Sequence, residues 1–226
     1  MSIKITYAIT VCNELEVEAV IEQLIETTDF NIGEYELLIQ FDSDKVTDAV
    51  LNLITKYSSE FDYCKVIGFA LNGNFAAFKN NLIENANGEY IFQIDADETL
   101  SDQLSDPRIL YSILQTNPNV ELFNVPRINI VAGITQEYIT EMGWNSVYRG
   151  FVVEDALIEK TINFPDYQSR IFKRSSNIKW YGKIHERILG HKTETFLPAT
   201  EDFSIEHVKS FERQVAQNTL YSELTK

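Results

Sequence analysis

At 226 residues, with 44% hydrophobic and 12% aromatic content, the chain has enough apolar side chains for a substantial core in a single domain, which excludes a disordered polypeptide. A formal net charge of −15 argues against binding along a nucleic-acid backbone and against docking on an anionic membrane. Only Cys12 and Cys64 are present, in neither a CxxC nor a zinc-ligand spacing; with no signal-peptide pattern and no run near the roughly 20 apolar residues of a membrane span, they predict a soluble, cytoplasmic protein.

Residues 3–11 read as a β-rich first strand. Asn13 follows as a helix cap, with Glu16 completing a capping-box-like pattern, for a helix running to about residue 27. A second strand over 35–41 closes on Asp42-Ser43-Asp44 before a helix over 46–57, and a third over 64–70 precedes a helix over 75–85 and an Asn87-Gly88 turn. The fourth strand covers 90–94. This alternation predicts βαβ units, a parallel sheet and right-handed crossovers. Ligands of such sheets sit at the carboxyl ends of the strands, so the polar ends at 10–14, 42–44, 72–74 and 95–97 should share one cleft.

Regularity then falls. A helix is expected over 107–115, and a strand over 121–130 interrupted by Pro126, as at an edge or bulge. Residues 131–163, with Gly133, Gly143 and Gly150 between aromatic and acidic pieces, read as loops and short elements covering the cleft. Two strand-like pieces, 168–174 and 178–181, flank Ser175-Ser176-Asn177, and a final helix is expected over 204–224.

The sharpest local feature is the apolar run Tyr90-Ile91-Phe92-Gln93-Ile94, which ends in Asp95-Ala96-Asp97-Glu98. Hard cations such as Mg²⁺ and Mn²⁺ take oxygen ligands, commonly one or two carboxylates plus substrate phosphates, so this pattern implies a divalent cation and a phosphorylated substrate. Acids also follow strands as ordinary turn formers, which is the competing explanation.

Four segments in order carry a family resemblance. Ile9-Thr10-Val11-Cys12-Asn13-Glu14 and Phe41-Asp42-Ser43-Asp44 look like the first two strand ends of the family 2 glycosyltransferases of the GT-A fold. Asn74-Phe75-Ala76-Ala77-Phe78-Lys79-Asn80, Gly88-Glu89-Tyr90 and Asp95-Ala96-Asp97-Glu98 are similar to that family's Ala-Arg-Asn helix, Gly-Glu-Tyr turn and DxD strand. Downstream, Phe164-Pro165-Asp166-Tyr167-Gln168-Ser169-Arg170-Ile171-Phe172-Lys173-Arg174 and Ile178-Lys179-Trp180-Tyr181-Gly182-Lys183-Ile184-His185-Glu186-Arg187 look like the C-terminal signature of a branch ending in His-Glu. Lys79 stands where the family usually has Arg, keeping charge but losing the bidentate fork, and Cys12 stands where it often has Tyr.

The resemblance implies an α/β, Rossmann-like GT-A fold: a mostly parallel central sheet flanked by helices, with a less regular acceptor-side region. One catalytic domain would span 1–226, as a nucleotide-sugar half (1–100), an acceptor and metal-completing half (101–203) and a C-terminal helix (204–226). It further implies an inverting, metal-dependent transfer of a hexose from a nucleoside diphosphate sugar, UDP-glucose or UDP-galactose first, to an acceptor hydroxyl. Asp97 would ligate the metal and Asp95 would hold the ribose, or the metal through water. His185 would complete the metal site and favour Mn²⁺ over Mg²⁺, although a merely hydrogen-bonded histidine is the alternative. Thr10, Asn13, Glu14, Asp42 and Lys79 would surround the base and ribose, with Asp42 accepting the imide N–H of uracil and Ala96 lying against the donor. Asn13 also has a sufficient local role as a cap. Arg170, Lys173 and Lys183 are candidate diphosphate partners. Glu186 and Asp166 rank equally as the general base that inversion requires, ahead of the Glu154-Asp155 pair. Trp144, Tyr148 and Trp180 would stack on an acceptor sugar, unless they pack in the core.

Two rival functions are a nucleotidyltransferase and a non-catalytic sugar-nucleotide or glycan-binding module. Against the first, residues 10–16 lack the Gly-rich basic phosphate loop such enzymes carry; against the second, Asp95, Asp97, His185 and Glu186 are all intact.

Overall fold

A computed structural model describes residues 2–149, 159–175, 177–183 and 185–224. In chain order its elements are β1 (Ile5–Val11), α1 (Val17–Thr27), β2 (Tyr35–Asp42), α2 (Asp48–Glu60), β3 (Cys64–Phe69), α3 (Phe75–Asn85) and β4 (Tyr90–Asp95). There follow β5 (Glu98–Leu100), α4 (Asp102–Ser105), α5 (Pro107–Thr116), β6 (Leu122–Val125), β7 (Arg127–Ala132), α6 (Gln136–Glu141) and β8 (Ser146–Arg149). The chain ends with β9 (Glu159–Ile162), β10 (Gln168–Lys173), β11 (Lys179–Tyr181), β12 (Arg187–Leu189), β13 (Glu194–Phe196), β14 (Ile205–Ser210) and α7 (Phe211–Leu224).

β1, β2 and β4 are buried almost throughout, as expected of parallel strands covered on both faces. They lie in a seven-stranded sheet of order β13-β6-β10-β4-β1-β2-β3, in which β1 to β4 run parallel and β10 is antiparallel to β4 and β6. Side chains of a strand alternate between faces, and two cores result. Tyr7 and Ile9 join Val17, Ile21, Leu24, Val50 and Ile54 of α1 and α2 on one side. Ala8 joins Leu82, Ile83, Phe172 and Trp180 on the other, under α3 and the β11–β12 ribbon.

The turn into β4 presses on β1 so closely that a Cβ on Gly88 would lie 2.4 Å from the Thr6 amide nitrogen. Buried Glu36 fixes that turn, accepting from the Asn87 amide (2.9 Å), Asn87 Nδ2 (2.6 Å) and Thr6 Oγ1 (2.7 Å).

A second sheet, ordered β5-β14-β7-β9-β8, meets the first at two handovers. β4 ends at Asp95 and β5 begins at Glu98; β6 ends at Val125 and β7 begins at Arg127. Pro126, expected to mark an edge or bulge, is instead the switch point between sheets, where it lacks an N–H to continue either ladder. β6 itself is no edge, being flanked by β10 and β13.

Two other expectations are corrected. α1 begins at Val17, after Glu16, and Asn13 does not cap it; the Glu14 carboxylate folds back onto the Cys12 and Asn13 amides at 2.7 and 3.0 Å. The C-terminal helix does not begin at residue 204: residues 205–210 form β14, parallel to β7, and the helix starts at Phe211. Among the described residues no helix is long and apolar enough to cross a membrane.

Candidate active site

Parallel register pairs Thr10 of β1 with Asp95 of β4, and the Thr10 hydroxyl donates to Asp95 Oδ1 at 3.1 Å. Asp95 Oδ2 faces Nη2 of Arg170 at 2.5 Å, and the same nitrogen reaches Glu98 Oε1 at 2.5 Å. Glu98 in turn accepts the Asp95 amide through Oε2 at 3.1 Å, so this acid holds both the backbone and the counter-ion of Asp95. Burial opposes ionisation of Asp95, but the charges of Arg170 and Lys79 outweigh it and hold the carboxyl well below its usual value. Burial likewise opposes the Arg170 charge, which Asp95 and Glu98 restore and raise. Arg170, expected on the diphosphate, is thus a buried cation engaged by two acids.

Lys79 projects from α3 beneath this pair. Its Nζ lies 2.8 Å from Glu186 Oε1, 3.8 Å from Asp95 Oδ1 and 4.6 Å from the centroid of the Trp180 ring. Trp180 is buried and donates its indole N–H to Gln93 Oε1 at 2.9 Å, so it serves the core rather than an acceptor face.

Asp97 sits in the turn between β4 and β5, and the imidazole that meets it is His207 of β14, not His185. Antiparallel register sets His207 opposite Glu98, the residue after Asp97, and parallel register sets it beside Asn129 of β7. His207 Nε2 is 3.1 Å from Asp97 Oδ2, and its Nδ1 is 3.2 Å from Asn129 Oδ1. Asn129 Nδ2 donates to Asp166 Oδ2 at 2.8 Å, which commits the amide oxygen to His207. With Nδ1–H donated to Asn129, Nε2 is the ring nitrogen left to face the carboxylate, able to donate a proton to it or to offer its lone pair to a cation. Arg213 of α7 adds positive charge there, with Nη2 3.0 Å from Asp97 Oδ2. Burial raises the Asp97 carboxyl, but the hydrogen bond and charge of His207, then the charge of Arg213, bring it below its usual value.

Asp166 receives Arg127 through Nε (3.0 Å) and Nη2 (2.6 Å), Asn129, and on its other oxygen Gln168 Nε2 at 3.0 Å. Lys209, on the same face of β14 as His207, is pushed down to about 8 by burial and by Arg127 and Arg213, against the opposing pull of Asp97 and Asp166.

A cleft of about 990 Å³ gathers Thr10, Asn13, Glu14, Asp42, Lys79, Asp95, Ala96, Asp97, Asp166, Arg170, His185 and Glu186, together with His207, Asn129, Trp144 and Arg213. Asp42 is buried, its Oδ1 taken by the amides of Asp44 (3.2 Å) and Leu71 (3.1 Å). Ala96 is buried, its amide bonded to the Thr10 carbonyl at 3.1 Å. His185 is exposed with a left-handed backbone, φ 53°. Lys183 lies outside this cleft, in a shallower depression with Asn80 and Tyr181, and Lys173 Nζ is bonded to the Pro118 carbonyl. Glu154 and Asp155 fall outside the described residues, as does the side chain of Tyr148.

His207 is the functional candidate that sequence reasoning missed. In Ile205-Glu206-His207-Val208 burial alternates with period 2, but the exposed residue is apolar Val208 and a buried one is polar His207, so the sequence itself does not display the strand pattern. Among the described residues no three His, Cys, Asp or Glu side chains converge as a metal cage. The pair Asp97 Oδ2 and His207 Nε2 nevertheless fits a divalent ion whose remaining ligands come from a diphosphate and water, and an oxygen with an imidazole suits Mn²⁺.

Comparison with solved structures identifies the architecture as that of the GT-A glycosyltransferases. The crystal structure of S. aureus TarS superposes with a TM-score of 0.59 at 14% identity, covering 92% of this chain and 37% of that one. TarS 1-349 in complex with UDP-GlcNAc gives 0.60 at 13% identity, covering 92% and 59%, and its complex with UDP gives 0.57 at 14%, covering 95% and 63%. The chain therefore spans less than two thirds of each of these structures. A search of curated proteins finds no match. The family model for Glycosyl transferase family 2 matches residues 6–191, and the chain belongs to that family.

Proposed function

We propose that this chain transfers a hexose from a UDP-sugar to an acceptor hydroxyl with inversion at the anomeric carbon, using Mn²⁺ or Mg²⁺. The observation that carries this reading is the meeting of Asp97 and His207 at 3.1 Å, beside Asp95 and at the mouth of β1 and β4, where nucleotide ligands of open α/β sheets sit. The TarS complexes with UDP-GlcNAc and UDP support a uridine nucleotide, and UDP-glucose, UDP-galactose and UDP-GlcNAc are the donors to test first.

In this reading Asp97 and His207 hold the metal, with Asn129 fixing the imidazole. The bound ion supplies positive charge to the departing diphosphate. Thr10 and Arg170 orient Asp95 toward the ribose side, and Asp42 and Glu14 shape the base pocket through the loops they fasten. Asp166 is the general base. It is linked to the metal pair through Asn129 and oriented by Arg127 at 2.6 Å, and in this reading its carboxylate accepts the hydroxyl proton. Glu186, paired with Lys79 on the nucleotide side, supports the donor pocket instead.

A thermal-shift panel of nucleoside diphosphate sugars with Mn²⁺, Mg²⁺ or EDTA tests this. Metal-dependent stabilisation by UDP-sugars and slow release of UDP are expected; a protein that responds to no nucleoside diphosphate sugar ends the transferase reading.

A further inference from the structure

Arg213 has no part in the transfer proposed above, yet its guanidinium lies on the Asp97 oxygen that also faces His207. Its position follows from the junction of β14 and α7. Ser210 Oγ accepts the Arg213 amide at 3.2 Å, fixing the first helical turn, while Phe211 packs edge-on to Tyr138 with centroids 4.8 Å apart. The side chain so anchored crosses the cleft. Nη2 reaches Asp97 Oδ2 at 3.0 Å, the same oxygen that lies 3.1 Å from His207 Nε2, and stands 3.8 Å from Glu14 Oε1. Nη1 lies 3.4 Å from Glu16 Oε1.

One cation thus sits among three acids from the β1–α1 loop and the β4–β5 turn. A divalent ion bound by Asp97 and His207 needs the oxygen that Arg213 now holds, and two like charges that close repel. The Arg213 side chain is 39% exposed and is held at this point by ion pairs with Glu14, Glu16 and Asp97. A nucleoside diphosphate brings planar pairs of anionic oxygens that suit the guanidinium fork better than a shared carboxylate oxygen does.

We infer that Arg213 is a resident cation that competes with the metal for Asp97 when the donor is absent and moves to the donor's diphosphate when metal and nucleotide arrive together. Metal and nucleotide then bind cooperatively, because each favours the arrangement the other needs. The inference rests on the metal-dependent donor reading above.

The test compares the parent chain with Arg213→Met, which keeps the aliphatic stem and removes the charge. Free Mn²⁺ is followed by its electron paramagnetic resonance signal in titrations without nucleotide, and UDP affinity is measured by calorimetry in saturating Mn²⁺. Removing the competitor should tighten Mn²⁺ alone, and removing the diphosphate partner should weaken UDP, each by about tenfold. These shifts have opposite signs, which a loss of structure cannot produce. Unchanged or weaker Mn²⁺ binding by the variant, or unchanged UDP binding, overturns the proposal. Failure of the underlying reading is distinguishable, since the parent itself would then bind UDP equally with Mn²⁺ and with EDTA.

Discussion

His207 and Asn129 lie side by side in the β14–β7 ladder, and the 3.2 Å contact between Nδ1 and Oδ1 sets which ring nitrogen faces Asp97. Because Asn129 spends its amide N–H on Asp166, its oxygen has no other orientation that satisfies both neighbours. Asn129→Leu keeps the volume and removes both contacts. The expected result is a UDP affinity in Mn²⁺ weakened by about tenfold, the usual cost of losing an outer-shell partner, with little change in EDTA. Equal affinities of variant and parent in Mn²⁺ would detach Asn129 from the metal site.

The two histidines separate cleanly by substitution. His207→Ala should abolish the gain in UDP binding that Mn²⁺ confers, whereas His185→Ala, altering an exposed side chain, should leave that gain intact. Isothermal titration with and without EDTA decides between them. The reverse outcome would restore the assignment of His185 as ligand.

Much of the first half of this fold was legible because its signals are local. Val17, Val20, Ile21 and Leu24 repeat at helical spacing, and the apolar run into Asp95 reads as a buried strand on composition alone. The second sheet was not legible, since its strands find partners far away in sequence: β14 pairs with β5 and β7 across more than a hundred and about eighty positions respectively. A six-residue strand followed directly by a helix leaves only Ser210, which caps the helix, to mark the junction, so 204–224 reads as one helix and His207 is lost with it. The expected grouping of Asp95, Asp97, Asp42 and Thr10 in one cleft rested on strand ends, which the parallel register determines, and that of Lys79 on the family resemblance. Arg170 illustrates the limit. Its charge suggested a phosphate, but only tertiary contacts reveal that two buried acids surround it.

The two candidate bases predict different losses. Asp166→Asn preserves shape and, with its amide oxygen in the Oδ2 position, the contacts from Arg127 and Asn129, giving up only that from Gln168 while removing the proton acceptor, so transfer should fall by about 10²- to 10⁴-fold with UDP binding retained. Glu186→Gln weakens the partner of buried Lys79 and should act on donor affinity first, seen as a raised KM for the UDP-sugar. Single-turnover kinetics with a working acceptor separates the two. Full transfer by Asp166→Asn would return the base role to Glu186 or Asp155.

Acid stability should report the buried carboxylates. Glu36 is opposed by burial, but hydrogen bonds from Thr6, Asn87 and Lys65 bring it below its ordinary 4.5, and Asp95 and Asp97 are held below their ordinary 3.8 by Arg170, Lys79 and His207. For a carboxylate with a depressed folded value, the unfolded chain takes up its proton first as pH falls. Its stabilisation is therefore complete above the ordinary value and drains away below it. Denaturant unfolding between pH 7 and pH 2 should show a stability plateau above about pH 5 and a decline below. Glu36→Gln, which leaves the Asn87-Gly88 turn with a weaker acceptor, should lower the plateau by about 2 kcal/mol and flatten the upper part of the decline. A variant whose acid limb runs parallel to that of the parent would show that Glu36 is not among the groups responsible.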